Sequence, residues 1–590
     1  MASIIAVSAA RGSLAVQTFA VQKLYYDTEV DLLVAFLGIF ATAGFGCGVA
    51  GLLDSITATS SKYVFPNMLP ALSLLTDLHR PTPSTVDVSK PSRQFGIAFA
   101  GAFIYEIVPA YIFPLLTGVS AFCLSSRSAT QNVRQIFTNI FGGAGGNEGL
   151  GLLSLSFDWQ YIGAACLTQP ISYQVNTWAG YMICYAAVTA IYYSNLWNSR
   201  ILPIISTAMF DSHGQVFDQS GVLDDRFTVD YGLLRVAGLP GLTSASIWTS
   251  VASNLAPTST ALYGHLGVEF SFLHVSKMVG AAIFPGRPLA ILYFAMWSNS
   301  AVSTSVYATS QMKFGNQTKL PSRVTFCCVL WGLVLGGVVN FLVMIPIVKN
   351  ERVNLVSALG LNIWSGQLTQ IMNSEAVTWS LAKELYSIRG RYAIIPFGSV
   401  IGFAATSIQY ALHKDFPNTA IFNGSVVMLP VVFVASSMMT YGNTSSVLST
   451  MIVAVVCRCW FMKKYKKGSE ASLLSLGGAL DGGSQLMILL LSFTVLGGMS
   501  AYKPFFKWFG NPLEGVSILD PSPVLSLEIT HNLNSYGCSM PIWIIGPQNS
   551  FTNALETVGV VETLVCNITG NKPASLSKHV SLQIVLVNNE

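Results

Sequence analysis

The chain has 590 residues, of which 52% are hydrophobic and 10% charged, with a mean hydropathy of +0.54. Soluble domains carry about 25% charged residues, so this composition excludes a soluble globular protein and implies a polytopic membrane protein. The net charge of +4 is thinly spread over the chain, which leaves nucleic-acid binding without support.

A bilayer crossing needs about twenty mostly apolar residues. In chain order, candidate spans fall near 4–22, 30–53, 95–124, 175–195, 242–262, 279–298, 324–348, 393–413, 425–441, 443–461 and 471–500. They are a minimum, and the fold class expected is an all-α helical bundle of about 11–14 spans with re-entrant or broken helices. Segments 4–22 and 242–262 are rich in Ala, Ser, Thr and Gly, a composition suited to close helix packing. Stretches 140–174 and 355–386 mix apolar residues with Gly, Asn, Gln and acids, and read as re-entrant or cavity-lining. The basic residues of alternate loops, including Lys319, Arg323 and Lys463-Lys464-Tyr465-Lys466-Lys467, place those loops and the amino terminus in the cytoplasm. No charged n-region with an apolar core and cleavage site opens the chain, so no cleaved signal peptide is expected. Residues 513–590 hold no convincing span and read as a divergent tail after a transmembrane domain over 1–512.

Several residues within these elements carry chemistry. Glu106 lies inside span 95–124, in Tyr105-Glu106-Ile107-Val108-Pro109, and an intramembrane acid is a functional hypothesis by default. It either carries a proton or fixes a kink through hydrogen bonds. Phe141-Gly142-Gly143-Ala144-Gly145-Gly146-Asn147-Glu148-Gly149-Leu150-Gly151 packs six glycines into eleven residues, followed by Asp158 and Trp159. So much glycine lets backbone approach a neighbour or a ligand closely. The stretch is either a packed re-entrant loop or a substrate-facing one with Glu148 and Asp158 as protonatable groups. Its spacing is not GxGxxG, and no Gly-Lys dipeptide exists for a Walker A loop.

Between Val279 and Trp297 an apolar run is interrupted by Pro285-Gly286-Arg287-Pro288. Two prolines remove backbone donors, and an arginine at mid-bilayer costs about 2.5–3.5 kcal/mol on insertion scales. A broken helix with a charge at that depth points to a site lined by protein and water, as in transporters. Arg287 is expected to meet an anion, either a protein carboxylate or the carboxyl end of a substrate. Trp364-Ser365-Gly366-Gln367, Gln370, Asn373, Glu375 and Trp379 either line a cavity or pack between helices. Asp481, in Leu480-Asp481-Gly482-Gly483-Ser484-Gln485, either serves the pathway or caps a helix. His79, His265, His274 and His413 stand isolated and read as interfacial. The ten cysteines form no CxxC pair, so no metal or cofactor is expected. The absence of a spaced Ser/His/Asp or HExxH set argues against an enzyme.

These motifs, in order over residues 1–512, resemble the oligopeptide transporter family, its fungal peptide-transporting clade in particular. Further matching stretches are Ala20–Tyr26, Gly46–Leu53, Phe65–Pro70, Tyr192–Trp197 and Gly510–Pro512, while Lys319-Leu320-Pro321-Ser322-Arg323 resembles the family's Lys-Ile-Pro-Pro-Arg motif with two substitutions. The resemblance implies a proton-coupled symporter of small peptides, with roughly sixteen helices in a complete member. Its partners would be peptide, protons and the lipid bilayer, with no protein partner, and its residence the plasma membrane or, alternatively, the vacuole or another endomembrane. Against that pattern, the family's amino-terminal motif and preceding spans are expected to be missing. The join between Asn254 and Lys277 is also shorter than the family's. Alternatives are metal-chelate transport by the same fold, as in the yellow-stripe clade, an inactive degenerate copy, and, from another class, an intramembrane enzyme.

Overall fold

The computed structural model describes residues 2–9, 13–54, 89–126, 129–142, 149–256, 272–356, 366–419, 423–438 without 425, 444–462 and 469–496, with single positions at 72, 75 and between 503 and 508. Among the described residues the secondary structure is helical, with isolated bridges and no extended strand. The chain divides into two units, Met1–Phe506 and Lys507–Glu590. The first is described below; the tail at 513–590 lies outside the described residues.

The principal helices in chain order are α1 (Ala2–Ala9), α2 (Leu14–Tyr26), α3 (Leu32–Leu52), α4 (Ser89–Tyr105), α5 (Gln131–Phe141), α6 (Trp159–Ile162), α7 (Ile171–Tyr193) and α8 (Ser244–Leu255). The second half supplies α9 (Leu273–Ile283), α10 (Pro288–Gln317), α11 (Ser322–Asn350), α12 (Gln367–Ser380), α13 (Ile394–Asp415), α14 (Leu429–Ser436), α15 (Ser446–Val455) and α16 (Ser469–Thr494). Five stretches of described helix, Leu32–Leu52, Arg93–Ile112, Ser322–Asn350, Ile394–Asp415 and Leu473–Thr494, are long and apolar enough to cross a membrane. Their outward faces are apolar: Phe36 and Phe40 on α3, Trp331 and Leu342 on α11, and Phe403 on α13 are exposed, as lipid contact requires.

Several sequence-predicted spans are broken. The 4–22 span is two helices, with Ser13 capping the second through its hydroxyl, which accepts from the Ala15 N–H at 3.2 Å. The 279–298 span divides at Pro285-Gly286-Arg287 into α9 and the thirty-residue α10. Segments 242–262 and 425–441 form helices of 12 and 8 residues, too short to span alone.

Small residues set the helix crossings. A side chain at Gly180 of α7 would overlap the Val432 carbonyl of α14, and one at Gly402 of α13 would overlap the Leu255 carbonyl beside α8. In a bilayer, helices associate through packing and interhelical hydrogen bonds, so such close approach replaces the hydrophobic drive that operates in water. Helices α9, α10, α12 and α2 pack into one group, and α4 packs along α16. Each of these two groups carries a cluster of buried charge.

Candidate functional site

The Pro-Gly-Arg-Pro break is held by backbone from elsewhere in the chain. Gly286 sits at φ 71°, a left-handed conformation that glycine adopts without a Cβ clash. Its N–H donates to the Ser380 carbonyl at 2.9 Å, and its own carbonyl accepts from the Val229 N–H at 2.8 Å. Pro285 precedes this glycine, and Pro288 opens α10 at a position where no donor is needed. Polar backbone freed by the break is thus satisfied by protein, the condition for irregular chain at membrane depth. The Arg287 side chain is exposed and forms no ion pair with a described carboxylate.

Two to three turns before the break, α9 carries His274 and Lys277, three residues apart and so on one face. Lys277 is fully buried, and its Nζ donates to Glu375 Oε2 of α12 at 2.5 Å. His274 Nε2 lies 3.6 Å from the other carboxylate oxygen. Around Glu375 the helix α12 is polar and buried. Asn373 Nδ2 donates to Gln219 Oε1 at 2.6 Å, Ser374 Oγ donates to the Thr207 carbonyl at 2.8 Å, and the Thr207 hydroxyl donates to Gln370. Gln367, half-buried, opens the helix, while Trp364 and Ser365 lie outside the described residues. One turn further along the same two helices, Ala281 and Trp379 line a cavity of about 410 Å³ that Pro285 and Tyr386 also border. Sequence reasoning took His274 for an isolated interfacial residue; it is 4% exposed and faces Glu375. Lys277 was not singled out, although a lysine three residues after a histidine in Leu273–Ile283 was the available signal.

The second cluster gathers acids. Glu106, fully buried, stands where α4 gives way to a π turn over Val108–Ile112 with Pro109 near its start. Asp158, 2% exposed, caps α6 by accepting the Gln160 N–H at 2.8 Å. The two carboxyls face each other closely enough to interact electrostatically. Tyr105 donates its hydroxyl to the Phe157 carbonyl at 2.9 Å, tying the end of α4 to this segment. Asp481 does not cap a helix, one of the two roles the sequence allowed. It lies inside α16, and Oδ1 accepts from Trp159 Nε1 at 2.8 Å and the Ala164 N–H at 3.0 Å. A Cβ at Gly483 would strike the Phe99 backbone of α4, so the glycines after Asp481 serve helix contact without interrupting the helix.

The remaining motif residues are peripheral to both clusters. Gly142 closes α5, its N–H donating to the Thr138 carbonyl at 2.8 Å and its carbonyl accepting from Gly151 at 2.6 Å. Gly143 and Glu148 lie outside the described residues, as do Phe65–Pro70, most of the 254–277 join and Gly510–Pro512. Lys319, at φ 61°, and Arg323 are exposed in and beside the turn between α10 and α11. Among the described residues no group of three His, Cys, Asp or Glu is placed to hold a metal ion.

A broken membrane helix flanked by buried charges is the architecture of a transport protein, and comparison with known proteins agrees. The family described as OPT oligopeptide transporter protein matches residues 1–263 and 247–495. Oligopeptide transporter 4 of Arabidopsis thaliana is 23% identical over 596 residues, covering 84% of this chain and 79% of the relative. Oligopeptide transporter 6 of the same plant is 22% identical over 635 residues, covering 91% and 84%. Plant relatives at this distance do not separate the expected fungal clade from its neighbours. Both alignments are longer than the whole of this chain, so the relatives carry residues with no counterpart here. The chain is a multi-pass membrane protein, not an enzyme, and belongs to the oligopeptide transporter family.

Proposed function

We propose that this protein carries small oligopeptides across a membrane together with protons, with the plasma membrane as its place of residence. The relatives' names support the substrate class. The observation that supports proton coupling is the Glu106–Asp158 pair: two buried carboxyls meet beside a broken helix. A proton held between such acids can enter from one side and leave to the other as the helices rearrange. Each charge moved inward gains about 2.3 kcal/mol per 100 mV of membrane potential, enough to accumulate substrate roughly fifty-fold. Peptide ends would be held by Arg287 and by polar groups of α12, including Gln367, Asn373 and Glu375. The family match divides into two stretches that overlap at 247–263, which supports a shortened join near Asn254, and it ends at 495, inside the transporter domain proposed over 1–512.

The test is uptake of a labelled tetrapeptide in cells lacking their own peptide transporters, at about pH 5 and about pH 7.5, which changes the proton supply to carboxyls whose pKa burial raises. Concentrative uptake that is faster at the acid pH supports symport. Uptake indifferent to pH removes the proton, and correct membrane insertion without uptake identifies an inactive copy.

A further inference from the structure

The Lys277–Glu375 pair is the one buried cation–carboxylate contact among the described residues, and its setting gives it a use beyond holding α9 to α12. Resting on the reading as a peptide transporter, we infer that Lys277 binds the carboxyl terminus of the transported peptide and that Glu375 occupies this position while the site is empty. Three features carry it. Lys277 is fully buried and donates to a carboxylate, so its environment is already shaped for one. Glu375 retains 13% side-chain exposure, so its side of the pair is the one open to exchange. The cavity of about 410 Å³, open to the surface and lined by neither Lys277 nor Glu375, begins one turn along both helices, at Ala281 and Trp379. Residues four apart share a helix face, so the cavity and the ion pair lie on one continuous surface between α9 and α12.

Exchange of one carboxylate for another keeps Lys277 compensated, which removing Glu375 alone would not. Among the described residues, His274 and Lys277 on α9 and Tyr386 beyond the end of α12 face Glu375. The titratable side chains brought to α12 by α2 are Tyr25, beside Thr369, and Tyr26, packed with Met372. From α10 comes Tyr293, which donates to Gln22.

The experiment compares uptake of a tetrapeptide with a free carboxyl terminus and of its amide, using the full chain in proteoliposomes. Wild type should prefer the free acid by about tenfold, the worth of one buried charge-assisted contact. In Lys277→Gln/Glu375→Gln, which leaves no unpaired charge, the ratio should fall to near one. An unchanged ratio in that variant, with uptake of both peptides measurable, overturns the inference while leaving peptide transport intact. If the double variant loses its melting transition, Lys277→Arg replaces it: a raised KM for the free acid against an unmoved KM for the amide supports the assignment, and an unmoved KM for both overturns it. Wild type that takes up neither peptide sinks the transporter reading itself, and the assignment with it.

Discussion

The two buried pairs invite a direct comparison. Lys277–Glu375 and Glu106–Asp158 each lie within two turns of a helix break, and each joins distant parts of the chain. In the first, a cation meets an anion at 2.5 Å and the charge is closed on itself. In the second, two acids face each other with no described cation between them, and the neighbours with which Asp158 and Asp481 bond are backbone amides and an indole. The same residue type thus holds different roles by its company. A carboxylate beside an ammonium is a structural bond that can be exchanged, whereas a carboxyl beside a carboxyl is a place to keep a proton.

The comparison breaks most visibly at Lys277. Lys277→Ala leaves Glu375 buried without its ammonium and should destabilise the protein by about 3–5 kcal/mol, since removing one member of a buried ion pair strands the other. The loss should appear as a lowered thermal transition in detergent. Lys277→Ala/Glu375→Ala should recover much of it, because the two changes act on one interaction. Equal losses in the single and double variants would mean that packing of the lysine stem, and not charge, holds α9 to α12.

Glu106→Gln sets the opposite expectation. The amide keeps the shape and hydrogen-bonding capacity of a protonated carboxyl, so stability should shift by no more than about 1 kcal/mol. Concentrative uptake should nevertheless fail while exchange of labelled for unlabelled peptide persists, because exchange needs no net proton movement. A stability loss as large as that of Lys277→Ala would show that Glu106 is ionised and paired, and the contrast between the clusters would collapse.

The two clusters were not equally legible in the sequence. Glu106, Asp158 and Asp481 each stood out as an acid in an apolar context, yet the meeting of Glu106 with Asp158 and the bond from Trp159 to Asp481 depend on α4 packing along α16 and on Tyr105 reaching the Phe157 carbonyl, contacts without a local signature. Asp481 could be read as a helix cap because Gly482 and Gly483 follow it. Only the neighbouring backbone of α4 explains why those glycines lie within a continuous helix. The helix break at Pro285–Pro288 was readable because proline and glycine act on their own backbone. Lys277 was overlooked for the converse reason: what makes it unusual is Glu375, 98 residues away in the chain. Span boundaries failed where composition was small and polar, as in 4–22 and 242–262, since tertiary contact decides helix ends there.

Arg287 offers the finest test, because it adjoins the cation-bearing helix yet pairs with no described carboxylate. If it waits for a peptide end in a watered opening, Arg287→Ala should change stability by less than about 0.5 kcal/mol, as for exposed positions away from packed features. The same variant should raise KM for the free-acid tetrapeptide by less than Lys277→Arg does, since a solvated charge contributes less than a buried one. If instead the guanidinium faces lipid, its removal should stabilise the protein by up to about 2.5–3.5 kcal/mol, the insertion penalty of an arginine at the helix centre. Thermal unfolding in lipid nanodiscs separates the two. A neutral result leaves Arg287 at the mouth of the break, one helix end from Lys277, as an outer contact for the same carboxylate; a stabilising one removes it from the pathway and leaves the buried lysine to act alone.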